Sequence, residues 1–582
     1  MENDMSGQCH KGLAYRRENA KRRQYERNGE LFVSKMLRLM PALILSSLST
    51  LLLSSVDGIF SGRINGSSAL AAISLMTPFN VIMAAVTAFI TGGILVVLPG
   101  HIADAEKTGK IYAASARLVL VAALAVLLLQ VPIGWLVVKP MGLNRAEELL
   151  FWQYAIGIFL SKPVDIASTV CSFILIANGK NNRILQLSLI EGICNTVLDF
   201  LFIVVLKLGV FGAGLGTLFS ILTRFGFSIR YLRKETSVFP LRKCECRKEM
   251  KEIVSAGFPS ATTRLANMIT GYVLTWMVAD TMGVDGLAVK SVLAFVGSLE
   301  SMLLLALGQS VGPLLGLLKG GGDVKGMNQA VKSAFRVSLI PFALLTVLCI
   351  LLHSLIFRLY GFDEIPAIGF TAMVVFTLPF VTDAINTLLN QFFIFSDKEK
   401  AVAGRVLMSN AILPVVFAFV FRYTLGGAFI WACYFMGSFL VAATGVVSYR
   451  KIVRDKTGEE NRSLCVSFTS EDAMAMTDYV REFIGEETNT SLANKTVLVT
   501  EELTAYLDRL RQNGPVKVDL HMTWKPGEVD MALLTDGKAV HELESEELSG
   551  AYTNYDIVKM VAEELQYKYV YTLNYIKVKI TA

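Results

Sequence analysis

Four acidic side chains of the first half of the chain, Asp57, Asp165, Glu191 and Asp199, lie in or beside long apolar runs, where a carboxylate is costly. If those runs cross a bilayer, each ionised group costs at least about 2.5–3.5 kcal/mol and needs a chemical reason. Asn195 and Asp199 are four residues apart, which puts both side chains on one helix face. A carboxylate with an amide one turn away offers hard oxygen ligands, suited to a sodium ion or to a carboxyl that takes up a proton. Lys162 precedes Asp165 at the spacing of an intrahelical ion pair. Glu191 is one turn before Asn195 but near the start of its run. The competing reading of these acids is structural: a Lys or Arg partner, or water at a span end.

The elements that must position these groups follow from hydropathy. The chain has 582 residues, 53% of them hydrophobic and 18% charged, with a mean hydropathy of +0.51. The apolar excess sits in the first 450 residues, while the remainder has an ordinary water-soluble composition. A spanning helix needs about 20 mostly apolar residues. Such runs occur near 34–60, 68–99, 111–138, 149–177, 184–206, 209–232, 250–281, 286–318, 334–357, 367–395, 402–422 and 425–449. The expected fold is therefore an all-α polytopic membrane protein of about twelve transmembrane helices. A large water-soluble helical protein would instead show long amphipathic patterns with polar faces.

Basic residues set the orientation. Lys11, Arg16, Arg17, Lys21, Arg22, Arg23 and Arg27 precede the first run, and Arg230, Arg233, Lys234, Arg242, Lys243, Arg247, Lys248 and Lys251 surround the connector after the sixth. Both clusters fall on one side if the spans alternate, and that side is expected to be the cytoplasm, with both termini inside and the plasma membrane as the site. The net charge of +6 is small and is not laid out as a nucleic-acid footprint. The cysteines are scattered apart from Cys244 and Cys246, with no second pair or histidine at zinc-ligand spacing, so no metal beyond a sodium ion is expected. Residues 1–33 are polar and basic, without the apolar core of a signal peptide.

Features of the first six runs recur 217–219 residues later: Pro41 and Pro259, Gly66 and Gly283 with the following Leu-Ala, Phe173 and Phe392, Leu208-Gly209 and Leu425-Gly426. An even number of spans per repeat makes the halves parallel, related by an axis along the membrane normal. The domain reading is a basic tail (1–33), a six-helix lobe (34–232), a connector (233–249), a second six-helix lobe (250–450), a linker (451–461) and a soluble domain (462–582). Two lobes around a central cavity suit a carrier that rocks between two states.

Certain motifs make the lobes recognisable. Val56-Asp57-Gly58-Ile59-Phe60-Ser61-Gly62-Arg63 followed by Gly66, Asn195 to Asp199 followed by Gly209 to Thr217, Ala256 to Ser260, and Gly308-Gln309 to Pro313 resemble, in order, motifs of the multidrug and toxin extrusion (MATE) family. The resemblance covers roughly residues 34–450. It implies a twelve-helix antiporter that exports organic, often cationic or amphipathic, small molecules against inward flow of sodium ions or protons. It carries the coupling-cation site of one branch onto Asp57, Asn195, Asp199 and Thr217. A second-lobe carboxylate used in other branches has Glu300 and Asp383 as candidates, the competing reading of both being a hydrogen-bonded structural acid. No cofactor and no enzymatic activity are implied.

The last 120 residues read as a small α+β sandwich: helices near 471–485 and 492–512, strands near 516–523 and 528–535, a helix near 554–565, and strands near 567–573 and 575–581. That order, with Glu501-Glu502 and Asp536-Gly537, resembles the histidine-kinase-type ATPase fold, especially anti-sigma-factor kinases. Ala505 and Thr535 depart from its magnesium-binding asparagine and adenine-reading aspartate. Its glycine-rich phosphate loop is reduced to Gly550, too few glycines for backbone N–H groups to close on an anion. A catalytically inactive domain is expected. The alternative to an exporter is a transporter-derived membrane sensor that signals through this domain to a cytoplasmic protein partner. Translocation of a lipid-linked intermediate would call for a strongly cationic cavity, which these acidic spans do not suggest.

Overall fold

The computed structural model describes residues 29–46, 76–102, 104–138, 145–235, 245–359, 367–459, 463–484, 490–508, 515–525, 527–539, 554–570 and 573–582. They divide into two compact units, one of residues 36–317 and 334–451, the other of residues up to 35, 318–333 and 452–582.

The first unit is helical because its sequence is apolar on all sides, and a helix satisfies its own backbone where no water can. After α1 (30–46) come α2 (Thr77–His101), α3 (Ala105–Val138), α4 (Arg145–Ala177), α5 (Asn181–Asp199) and α6 (Gly209–Glu235). The second lobe has α7 (Arg247–Gly320), α8 (Val324–Leu351), a short α9 (His353–Leu359), α10 (Gly369–Thr377) continued by α11 (Pro379–Phe395), α12 (Glu399–Leu407), α13 (Leu413–Thr424) and α14 (Ala432–Glu459). Among the described residues, ten helical segments are long and apolar enough to cross a membrane. Of the twelve expected spans, 34–60 is described only to Ser46, and 250–281, which carries Lys251, Glu252, Arg264 and Asp280, is helical but is not one of the ten. Large apolar side chains such as Leu128, Ile340 and Val447 point outward at about 70% exposure, as expected of a lipid-facing surface.

A straight helix of 74 residues would reach about 110 Å. Yet Ile253, near the start of α7, and Gly316, near its end, both pack on α2 between Phe89 and Pro99. The helix therefore doubles back, giving two antiparallel arms where two spans were expected. Among the described residues each lobe has one π-helical stretch, Phe200–Val205 after α5 and Met408–Ile412 after α12. An extra residue in the turn re-aims the side chains around it, which is why such bulges gather at functional positions.

The second unit is built on an antiparallel sheet in the order β1-β2-β3-β5-β4, with β1 Ser463–Thr469, β2 Lys517–Lys525, β3 Glu528–Thr535, β4 Glu564–Val570 and β5 Leu573–Thr581. Leu464, Val466, Leu520, Met531 and Val578 alternate onto one face and bury against α15 (Ala473–Ile484), α16 (Thr490–Asp508) and α17 (Asn554–Val561). The expected helices and strands are present in order. Strand β1 was not expected, although Ser463–Thr469 alternates in burial residue by residue. The opposite sheet face is covered in part by the connector 318–333. Gly321 lies against Ala532 and Tyr575, and Lys325 Nζ donates to Ser463 Oγ at 2.7 Å.

Candidate functional site

In the first lobe, α4 and α6 pack together and neutralise two of the acids. Lys162 Nζ lies 3.4 Å from Asp165, the pairing its spacing predicts. Arg224, on α6, reaches Glu191 at 3.1 Å and Asp165 at 3.9 Å and donates to Ser172 Oγ at 3.3 Å. Two acids thus meet two bases. Arg224 was missed in the sequence because its partners lie on other helices.

Three of the expected cation ligands fall on α5 and α6. Asp199 is 2% exposed and ends α5, where the π-helical stretch begins. Its Oδ1 is pressed against Gly216 of α6, where any side chain would collide with it. Thr217 is the next residue, and its hydroxyl donates to Ala213 O at 3.1 Å, which leaves its lone pairs as acceptors. Asn195, one turn before Asp199, is half-buried, and its Nδ2 has no hydrogen-bond partner among the described residues. Asp57 lies outside the described residues.

The second lobe holds the more connected acidic site. Glu300 on α7 and Asp383 on α11 come within hydrogen-bonding reach of each other, and Glu300 Oε1 is buried without a partner. Ser438 on α14 donates to Asp383 Oδ1 at 2.5 Å. Asn386, one helix turn from Asp383, donates to Ser438 Oγ at 3.0 Å and accepts from Arg405 Nη2 at 3.2 Å. Arg405 also donates to Asn390 Oδ1 at 3.1 Å and lies over the Phe393 ring. Two carboxyl groups this close repel each other when both are ionised. They stand at one end of a hydrogen-bonded chain through Ser438 and Asn386 that ends at the Arg405 guanidinium.

Solved structures share this arrangement of helices. A MOP superfamily transporter from Pyrococcus furiosus, whose binding pocket of reversed polarity suggests a different function for it, aligns with a TM-score of 0.68 at 20% identity, over 74% of this chain and 98% of its own. An outward-facing multidrug resistance MATE family transporter aligns with a TM-score of 0.67 at 20% identity, over 74% and 99%. Over that length the chain has the MATE fold. A MATE in complex with MaL6 gives 0.69 at 20% identity, over 73% and 97%. At this identity the likeness is one of fold. No protein-family model and no curated protein matches the chain.

Within the MATE fold the two acidic sites occupy related places. Asp383 lies 218 residues after Asp165, and Ser438 lies 218 after Ser220, inside the range of the repeat. One copy of the aspartate is paired with Lys162 and Arg224, whereas the other faces a second carboxyl and a hydroxyl. The duplicated position meets basic groups in one lobe and a hydroxyl and a second carboxyl in the other.

The lobes meet where α2 crosses the first arm of α7. Gly93 lies against the carbonyl of Ile253, Gly257 against that of Phe89, and Gly92 against Ser260. Pairs of glycines at a crossing let two helix backbones approach this closely.

In the C-terminal domain, Thr535 is fully buried and accepts from Asn574 Nδ2 at 3.4 Å. Asp536 Oδ1 accepts from the Lys517 backbone at 2.7 Å, and Glu502 accepts from Asn554 at 2.6 Å. Ala505 is exposed on α16. Gly550 lies outside the described residues. The Tyr555 hydroxyl, near Asp556, is pushed up to about 12 by burial first and by that carboxylate second.

Proposed function

We propose that the chain is a cation-coupled exporter of organic small molecules, with twelve spans in two parallel lobes and both termini in the cytoplasm of a plasma-membrane protein. The Glu300–Asp383 pair carries this reading. A buried acid pair that must share one proton changes its affinity for that proton when the lobes re-expose it to the other side. Coupling needs just such a difference in affinity between states. We assign the coupling ion as a proton at this pair. Asp57, Asn195, Asp199 and Thr217 form a first-lobe cation site, the second candidate for coupling and the one suited to sodium.

Acidic spans favour a cationic or amphipathic substrate over an anionic one, because the substrate and the coupling cation can then compete for the same field. The C-terminal domain is assigned no catalysis, since Ala505 offers no metal ligand and Thr535 is used inside the domain.

The test is counterflow in vesicles, with sodium and pH gradients imposed separately. Export driven by the pH gradient alone supports the assignment. Export driven by sodium alone would move the coupling site to the first lobe, and binding without transport would favour the sensor.

A further inference from the structure

We propose that Asp323, Cys465 and His521 bind one zinc-class divalent ion, which fastens the connector between α7 and α8 to the sheet of the C-terminal domain. The three side chains place a carboxylate oxygen, a thiol sulfur and an imidazole nitrogen within 4.8 Å of one another. All three belong to the same compact unit.

The sheet brings two of them together by register. Cys465 on β1 and His521 on β2 are directly opposite partners, so their side chains leave the same sheet face. It is the face turned away from the helical core, where the connector packs. Asp323 comes from that connector, just before α8 begins at Val324. Its Oδ1 accepts from the Gly326 backbone at 2.6 Å and lies 3.9 Å from Cys465 Sγ. The N-cap bond fixes the carboxylate, so one ligand is held in place before any ion arrives.

The donor set selects the ion. A thiolate is poorly suited to calcium or magnesium, which take oxygen ligands, and one sulfur, one nitrogen and one oxygen suit zinc, which is borderline-soft. Ligands about 2.0–2.3 Å from a tetrahedral zinc stand about 3.3–3.7 Å apart, so side-chain rotations of about an ångström close the site. Asp323 and His521 are each 2% exposed, whereas Cys465 is half-buried, so an ion can reach the cluster from the Cys465 side. Asp323 and Cys465 are 142 residues apart, so a search for local ligand spacings passes over them.

The test uses the full-length chain in detergent, reduced and stripped with chelator, and cobalt(II) as a spectroscopic stand-in for zinc. One equivalent of cobalt should give a thiolate-to-metal charge-transfer band and raise the melting temperature, and zinc should bleach the band. Cys465→Ser keeps shape and fold, as its metal-free melting curve will check. It should lose the band and bind cobalt at least about tenfold more weakly, the lower bound expected even of an outer-shell change. His521→Gln should weaken binding similarly. No cobalt binding by the wild-type chain, or a band undiminished in Cys465→Ser, would overturn the proposal and leave the cluster as ordinary polar packing.

Discussion

Replacing Gly257 by valine should hold the two lobes apart. A Cβ at that position runs into the Phe89 carbonyl on α2 and comes within 3.0 Å of the Gly93 backbone nitrogen. The obstacle is helix backbone, so no side chain can rotate aside to relieve it. Overpacking of this kind costs about 1–3 kcal/mol, and it is paid only in the state where α2 and α7 touch. A bias of that size shifts a two-state equilibrium by about 5–150-fold. The Phe89 and Phe258 rings, 6.0 Å apart, give the readout: cysteines at both positions, in a background without other cysteines, should cross-link readily in the parent. Gly257→Val should slow cross-linking and export by a factor within that range. Gly226→Val is the control, since a side chain there meets nothing within 4 Å. Cross-linking and transport at parental rates in Gly257→Val would show that export does not need α2 and α7 to approach this closely.

Further outcomes follow from the same geometry. Arg224→Met should strip Glu191 and Asp165 of their shared cation and destabilise the first lobe by about 3–5 kcal/mol, read as a lower melting temperature in detergent; an unchanged melting curve would mean the acids are solvated. Asp199→Asn keeps the shape beside Gly216 but deletes the charge, so it should abolish any sodium stimulation of export without affecting membrane insertion, and full stimulation would remove Asp199 from the site. Mg-ATP titrated calorimetrically into the full chain should bind no tighter than about millimolar, because two lost contacts cost several factors of ten; low-micromolar binding would contradict the reading of Ala505 and Thr535. An impermeant thiol reagent outside intact cells should leave Cys465 unlabelled, and labelling would reverse the topology.

What the sequence made legible was local. Uniform apolar runs specified spans, the three-residue step from Lys162 to Asp165 specified an ion pair, and the four-residue step from Asn195 to Asp199 put both side chains on one face. The order of helices and strands in the C-terminal domain was legible for the same reason, except β1, which holds three core residues and is too short for its period to stand out from the charged linker before it. The joins between distant elements could not be read. Arg224 with Glu191, Glu300 with Asp383, and Asp323 with Cys465 and His521 depend on helix crossings and strand register. The doubling back of α7 was visible as two apolar runs, but not its contact with α2, which Gly92, Gly93 and Gly257 permit.

In the proposed mechanism a proton shared by Glu300 and Asp383 drives export. Its most direct measurement is proton flux into vesicles on addition of substrate, in the parent and in Glu300→Gln. Two acids at hydrogen-bonding separation of about 3 Å would repel by about 5 kcal/mol if both ionised, at an effective dielectric near 20. Glutamine cannot ionise, so it removes one of the two groups between which the proton is shared while keeping a hydrogen-bonding side chain beside Asp383. The parent should carry protons inward in fixed ratio to substrate carried out, and Glu300→Gln should exchange substrate down its own gradient with no proton movement. Undiminished proton-coupled export in Glu300→Gln would contradict the account.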